Sequence, residues 1–180
     1  IHLHWVSYSM IDYVKFFFFF KKNVVWTLHD MYPFTGGCHH ADNCLGYLND
    51  CSFCPQLKTD QVAKKWHSYK RNAVGGFNLK KFKLISPSIW MANQVKQSSL
   101  FSSVLNTIIP NGFNISFFHE KDRYEMRRKL NLPKDKILFL FNAYDINNQR
   151  KGILELVSAF SKLDRNEVAL VCIGNKFDFS

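Results

Sequence analysis

His29 and Asp30 are two side chains that can exchange protons or hold a polar ligand, and they directly follow an apolar run, residues 24–28. The run is rich in β-branched residues and predicts a buried strand. The Gly36-Gly37 pair then forces a loop. Ligands of open α/β sheets bind beyond the carboxyl ends of the strands. The sequence therefore predicts a functional site at His29 and Asp30.

A second candidate is Arg150-Lys151-Gly152, which stands between a predicted strand, residues 136–141, and a predicted helix that begins near Ile153. A helix N-terminus presents free N–H groups and a partial positive charge, so it attracts anions. Two added cations could stabilise the charge that develops on a diphosphate leaving group. The alternative, a basic pair with no function at the surface, stays open on spacing alone.

The third candidate is a cysteine-rich loop, residues 35–57, which holds four of the five cysteines in the spacing C-x5-C-x6-C-x2-C. These are Cys38, Cys44, Cys51 and Cys54. Three interpretations stay open: a structural Zn²⁺, free or packed thiols, and disulfides. The second pair has an ordinary zinc spacing and the first is wider, so His39, His40 and Asp42 are alternative ligands. We expect no catalytic metal, because four protein ligands leave no open position. The fifth cysteine, Cys172, is expected in the core.

Composition and charge set wider limits. The chain has 180 residues, 47% of them hydrophobic and 21% charged, which is typical of a globular protein of one or two domains. The net charge of +10 suits an anionic partner: nucleic acid, a phosphorylated ligand or an acidic membrane. The odd cysteine count fits a reducing compartment better than a secreted disulfide framework.

The positive charge is concentrated in a basic segment, residues 58–83, with eight Lys or Arg against one acid, Asp60. Trp66, Tyr69 and Phe77 are interleaved with these charges. One interpretation is a solvated helix face. The other is a surface for anionic lipid headgroups or a phosphorylated acceptor. Nucleic acid is less favoured, because no known nucleic-acid-binding motif accompanies the charges.

The predicted elements form two strand–helix–strand units, and their crossovers imply parallel sheets of the α/β class. The predicted strands are 1–6, 24–28, one ending at 84–87, 104–109, 136–141 and 168–173. The predicted helices are 9–20, 88–97 with Ser88 as its cap, and 120–130, which Asn131 and Pro133 end. A further helix has its core side formed by Ile153, Leu154, Leu156, Val157, Phe160 and Leu163. We expect the phenylalanine run 16–20 to pack in the core. We also expect the chain to be an internal piece of a longer protein.

Taken together, the motifs resemble those of family-4 (group 1) retaining glycosyltransferases of the GT-B fold, in the bacterial exopolysaccharide and lipopolysaccharide branch. The matching stretches keep the family's order and extend over almost the whole chain. They are Trp26-Thr27-Leu28-His29-Asp30, Pro33-Phe34-Thr35-Gly36-Gly37-Cys38, Cys51 to Cys54 with Pro55-Gln56, Pro87-Ser88 with Trp90, Pro110-Asn111-Gly112, and Arg150-Lys151-Gly152.

The resemblance implies two Rossmann-like domains with parallel sheets around a cleft. Residues 1–115 would be the later half of an N-terminal acceptor-binding domain, and 119–180 the start of a C-terminal domain that binds the nucleotide sugar. His29 and Asp30 would be the catalytic residues, with His29 approaching the donor sugar. The remaining implied site residues are Arg150, Lys151 and Gly152 at the donor diphosphate, and Gly36, Gly37, Asn111 and Gly112 in the cleft loops.

The implied function is sugar transfer from a nucleotide-diphosphate donor to a saccharide or lipid-linked acceptor, with retention of configuration and without a catalytic cofactor. The implied setting is cell-surface polysaccharide biosynthesis in the cytoplasm, peripheral to the inner face of the membrane. The family's paired glutamates and first glycine-rich loop are expected outside this chain. Two alternatives remain: a zinc-stapled nucleic-acid-binding module, and a non-catalytic relative that binds sugar or lipid.

Overall fold

Short strands alternate with helices in the computed structural model, which describes residues 1–6, 10–19, 22–58 and 61–175. In chain order they are β1 (His2–Leu3), α1 (Tyr13–Phe19), β2 (Val24–Thr27), α2 (Gln61–Gly75), β3 (Phe82–Ser86), α3 (Ile89–Gln97), β4 (Leu105–Ile108), α4 (Arg123–Lys129), β5 (Ile137–Asn142), α5 (Ile153–Phe160) and β6 (Val168–Ile173). The chain divides into two units, Ile1–Phe113 and Asn114–Ser180. Among the helices of the described ranges, none is long and apolar enough to cross a membrane.

The first unit contains a four-stranded sheet with the order β1-β2-β3-β4. Every neighbouring pair is parallel, with Leu3 opposite Trp26, Trp26 opposite Leu84, and Leu84 opposite Asn106. The predicted α/β class with parallel sheets is therefore confirmed. Because the strands run the same way, the loops that follow them leave the sheet at one edge.

Aromatic side chains form much of the core beneath this sheet. Trp26, Phe82 and Phe101 are fully buried, and the rings of Phe82 and Phe101 meet edge to face at 5.6 Å. Phe17 joins them, with its ring 5.3 Å from that of Phe82. Edge-to-face pairs of this kind contribute about 0.5–1.5 kcal/mol each beyond the area that they bury.

The phenylalanine run is thus only partly a core element. Phe17 is 2% exposed, whereas Phe19 is 71% exposed. The helix α1 is also shorter than the predicted 9–20, and its two predicted end residues, Ser9 and Phe20, lie outside the described residues.

The second unit contains a parallel pair of strands, β5 and β6, joined through α5. Ile153 on α5 is buried, as predicted, but Leu154 is 60% exposed and Leu163 is 43% exposed. The prediction was wrong for these two leucines. Leu154 is one residue from Ile153, and adjacent helical residues do not share a face. Leu163 comes after α5 has ended at Phe160.

Two predicted helix boundaries are confirmed. The Ser88 hydroxyl accepts a hydrogen bond from the Met91 N–H at 3.2 Å, so Ser88 caps α3. Asn131 follows α4 with a φ of 52°, the left-handed conformation that ends many helices. The start of α4 lies later than predicted, because the Asp122 carboxylate caps it by accepting from the Glu125 N–H at 2.7 Å.

Candidate functional site

Three histidine rings lie where β1 and β2 reach the carboxyl edge of the sheet. The His2 Nε2 atom is 2.8 Å from the Thr27 hydroxyl, and the His4 Nδ1 atom is 2.9 Å from the His29 Nε2 atom. The rings of His2 and His4 are 4.3 Å apart, and those of His4 and His29 are 5.2 Å apart and stacked. His29 is exposed at the carboxyl edge of the sheet. Its ring contacts His4 and is accessible to a ligand.

The partner of His29 follows from parallel pairing. Since Leu3 pairs with Trp26, the residue after β1 approaches the end of β2. The Trp26 indole strengthens this link by donating its N–H to the His4 carbonyl at 2.7 Å. One ring nitrogen of the His4–His29 pair must donate and the other accept, so the pair requires at least one neutral imidazole.

Asp30 organises the loop that follows β2. Its Oδ2 atom accepts from the Trp5 indole N–H at 3.0 Å and lies 2.6 Å from the His39 Nδ1 atom. Its Oδ1 atom accepts from the Tyr32 N–H at 2.9 Å. Both carboxylate oxygens are therefore engaged by the protein. This arrangement suits a positioning residue that fixes the loop beside His29.

Lys70, on α2, is buried beneath the same loop. Its ammonium donates to the carbonyls of Tyr32 and Thr35, the latter at 3.1 Å, and lies 3.8 Å from the centre of the Tyr32 ring. Burial lowers the pKa of Lys70 to about 7, although the nearby Cys38, Cys51 and Asp30 raise it. Counting Lys70 as part of a basic surface was therefore wrong: this lysine holds the loop from inside.

The Gly36-Gly37 pair has separate structural reasons for its two glycines. A Cβ atom on Gly36 would be 2.7 Å from the Ala63 carbonyl oxygen and 2.8 Å from the Cys51 Cβ atom. Gly37 instead has a φ of 126°, a backbone conformation that residues with a side chain rarely adopt. The pair lets the loop pass tightly over α2, which explains the motif without a ligand.

The four cysteines of the loop 35–57 line one cavity of about 270 Å³, and none of the chain's described cysteines forms a disulfide. Burial raises the pKa of Cys38, and it raises the pKa of Cys51 to about 11. The residues that line this cavity do not include the alternative ligands His39, His40 and Asp42, and the His39 Nδ1 atom lies 2.6 Å from the Asp30 Oδ2 atom. Nor is Cys172 a core residue; it is half-buried on β6.

The loop also contributes to the core of the first unit. Ala41, Tyr47 and Cys51 are all buried within the core of the first unit. In the part of the chain that is described, no three His, Cys, Asp or Glu side chains are already arranged as a metal centre.

The basic turn Arg150-Lys151-Gly152 lies in the second unit, between β5 and α5. Arg150 and Lys151 are exposed at the end of a single 3₁₀ turn. The Asn148 side-chain oxygen caps this turn by accepting a hydrogen bond from the Arg150 N–H at 3.1 Å. Gly152 has a φ of 75° and is the residue from which α5 starts. The predicted placement of two cations at a helix N-terminus is therefore found.

Asn111 and Gly112 follow β4 and are exposed. Gly112 does not have a positive φ: among the described glycines, only Gly37, Gly152 and Gly174 have one. A Cβ atom on Gly112 would meet no atom within 4 Å. The fold of this unit therefore does not require glycine at position 112.

Sequence reasoning missed the partners that hold the site. His4 and Trp5 were placed only within the predicted strand 1–6, and Lys70 only within the basic segment 58–83. A signal was available for His4. Because β1 and β2 are consecutive strands of a parallel pair, the residues that follow β1 lie near the end of β2. Nothing in the local sequence distinguishes Lys70 from its exposed neighbours.

The chain is similar to a protein of Escherichia coli (strain K12) that is provisionally named colanic acid biosynthesis glycosyl transferase WcaC. The two are 34% identical over 62 residues, which is 32% of this chain and 15% of the E. coli protein. The chain thus spans a small part of the length of this relative. No protein-family model matches the chain, and no solved structure is significantly similar to it.

Proposed function

We propose that this chain is part of a glycosyltransferase that moves a sugar from a nucleotide-diphosphate donor to a saccharide or lipid-linked acceptor. The observation that carries the proposal is the similarity to the E. coli protein named as a glycosyl transferase. The exposed His29 at the carboxyl edge of a parallel sheet agrees with it, since ligands of α/β sheets bind at that edge. The proposal extends to a GT-B architecture and to cell-surface polysaccharide as the product.

In this proposal Arg150 and Lys151 bind the donor diphosphate. Both cations are exposed beside the first N–H groups of α5, and Gly152 leaves the backbone accessible to phosphate oxygens. When the bond between sugar and diphosphate breaks, negative charge grows on the leaving group. Fixed positive charge stabilises that state more than the ground state and so accelerates the reaction.

His29 acts at the sugar in the same proposal. A neutral imidazole that contacts His4 on one side keeps its other ring nitrogen for a sugar hydroxyl. Asp30 positions His29 indirectly, by fixing the loop through Trp5, Tyr32 and His39. The acceptor hydroxyl attacks from the face that the diphosphate leaves, so configuration is retained. No catalytic cofactor takes part.

Ligand-induced stabilisation tests the proposal against nucleic-acid binding. The protein that carries this chain is melted with a panel of nucleoside diphosphates and nucleotide sugars, and separately with single- and double-stranded oligonucleotides. We expect a rise in Tm with one or more nucleotides, because a ligand that binds only the folded state stabilises it. A rise with oligonucleotides alone would contradict the proposal. A rise with nucleotide sugars but no turnover would support a non-catalytic relative instead.

We also propose that the basic segment 58–83 holds the protein at the cytoplasmic face of an anionic membrane. Seven of its eight basic residues are exposed: Lys58, Lys64, Lys65, Arg71, Lys80, Lys81 and Lys83. Each basic residue near an anionic bilayer contributes about 1 kcal/mol. Co-sedimentation with anionic vesicles should therefore fall steeply with salt. Equal binding to neutral and anionic vesicles would count against this role.

A further inference from the structure

The four thiols of the loop 35–57 lie around one cavity, and the Cys44 and Cys51 sulfurs both lie close to Gly46. All four line the same cavity, together with Thr35, the glycine pair and side chains of α2. The sequence distributes them over 17 positions, from 38 to 54, so the fold itself has gathered them.

Two of the sulfurs accept backbone N–H groups. The Gly36 N–H donates to the Cys51 sulfur at 3.2 Å, and the Gly46 N–H donates to the Cys44 sulfur at 3.4 Å. Hydrogen bonds of this kind favour the charged acceptor and orient metal-binding side chains. A Cβ atom on Gly46 would lie 3.4 Å from the Cys44 sulfur and 3.8 Å from the Cys51 sulfur, so both sulfurs flank this glycine.

The backbone at Cys51 is held in an unfavourable conformation. Its φ is 54°, in the left-handed region that residues with a side chain seldom adopt, and the residue is 8% exposed. Backbone strain of this kind costs about 1–3 kcal/mol and is concentrated at functional positions. Glycine would relieve it, yet this position carries a thiol that lines the cavity.

Lys70 supports one wall of this cavity from α2. Its side-chain nitrogen donates to the Thr35 carbonyl at 3.1 Å, and Thr35 lines the same cavity as the four thiols.

We propose that this loop binds one structural zinc ion through its four thiolates, those of Cys38, Cys44, Cys51 and Cys54. Because the described side chains are not already arranged as a metal centre, the thiols must rotate towards the ion as it binds, each losing its proton. Four sulfur ligands close the coordination shell, so the ion has a structural role. It would fix the loop that contains Gly36 and His39, and through Asp30 the surroundings of His29.

Metal content of the purified protein tests the zinc site, and it does so independently of any transferase activity. We expect one zinc ion per chain, and one Co²⁺ per chain after exchange, with the intense absorption of tetrahedral cobalt bound to thiolates. Cys54→Ser is the main variant, because Cys54 is only half-buried and its loss should leave the protein folded. Loss of an outer-shell hydrogen-bond partner typically lowers metal affinity by about 10- to 100-fold. Loss of a direct ligand in Cys54→Ser should lower the Co²⁺ affinity by at least as much.

Cys172→Ser is the matched control, because Cys172 lies in the second unit. This variant should bind metal as the unsubstituted protein does. A chelator should lower the Tm of the unsubstituted protein and leave that of Cys54→Ser unchanged. Folded protein that binds neither metal would overturn the proposal. So would disulfides among the four cysteines, or equal loss of metal in Cys172→Ser.

Discussion

Two loops of the molecule each follow a parallel strand but are held differently. The first is the strand-end loop after β2, residues 29–40, and the second is the basic turn after β5, residues 148–152. In the first, Asp30 alone receives contacts from Trp5, Tyr32 and His39, and Lys70 supports the loop from below. In the second, the structure describes no side-chain hydrogen bond or ion pair for Arg150 or Lys151. The first region is held by contacts within the protein, whereas the second presents two exposed cations.

This difference separates two kinds of substitution. A change in the strand-end loop removes contacts within the protein and should alter stability as well as activity. A change in the basic turn removes a charge that only a ligand would use. The comparison therefore predicts that activity and stability change together in the first region and separately in the second.

Lys151→Ala should have the largest effect on activity. Removing one group that stabilises developing charge typically lowers kcat by about 10²–10³-fold. The Tm should stay unchanged, because Lys151 is exposed. Steady-state release of nucleoside diphosphate measures the first effect and thermal unfolding the second. Lys162→Ala, an exposed lysine beyond α5, is the control and should leave both unchanged. Full turnover in Lys151→Ala would remove this residue from the donor site.

Asp30→Asn should show the opposite pattern, with a clear loss of stability. An amide supplies one oxygen acceptor instead of two, so a hydrogen bond from Trp5, Tyr32 or His39 is lost or weakened. A lost hydrogen bond to a charged group costs about 1.5–3 kcal/mol, measured as a lower free energy of unfolding in urea. Asp135→Asn, at an exposed position, is the control. Unchanged stability in Asp30→Asn would show that the loop is not held by this carboxylate.

The elements were easier to predict than the contacts between them. The strand Val168–Ile173 and the Ser88 cap follow from local rules, a β-branched apolar run and a side-chain oxygen before a helix. Burial of Lys70 follows from its place on α2 beneath the Tyr32 carbonyl, which only the tertiary fold determines. A stretch rich in lysine has the same local pattern whether one lysine points inwards or none does.

The candidate site shows the same limit. The position of His29 was predictable, because it depends on one strand ending in one loop. Its pairing with His4 depends on the register between β1 and β2, which follows from the parallel pairing of these strands and not from the residues around His29. Gly112 illustrates the converse: glycine permits a positive φ in a Pro-Asn-Gly sequence, and the backbone at Gly112 does not adopt one.

The pH dependence of stability offers a smaller test, confined to the first unit. His67 is fully buried, and burial, with Arg71 and Lys70 adding to it, lowers its pKa from 6.5 to about 4. Between those two values the unfolded chain binds a proton that the folded chain does not. The free energy of unfolding should therefore decrease as the pH falls from 6.5 towards 4.

Urea unfolding at several pH values checks this dependence. His67→Gln, whose amide reaches the position of the Nε2 atom that meets the Ser99 hydroxyl, should show a shallower slope, whereas His119→Gln at an exposed position in the second unit should keep the original one. The same slope in His67→Gln would mean that other groups cause the acid sensitivity.

Turnover of nucleotide sugars by the protein that carries this chain tests the central claim most directly. The assay uses a panel of uridine, guanosine, thymidine and adenosine diphosphate sugars with saccharide and lipid-linked acceptors, and nuclear magnetic resonance gives the anomeric configuration of the product. We expect one donor class to be used with retention, and His29→Ala to lower the rate by about 10²-fold or more. No turnover with any donor, or full turnover by His29→Ala, would contradict the account.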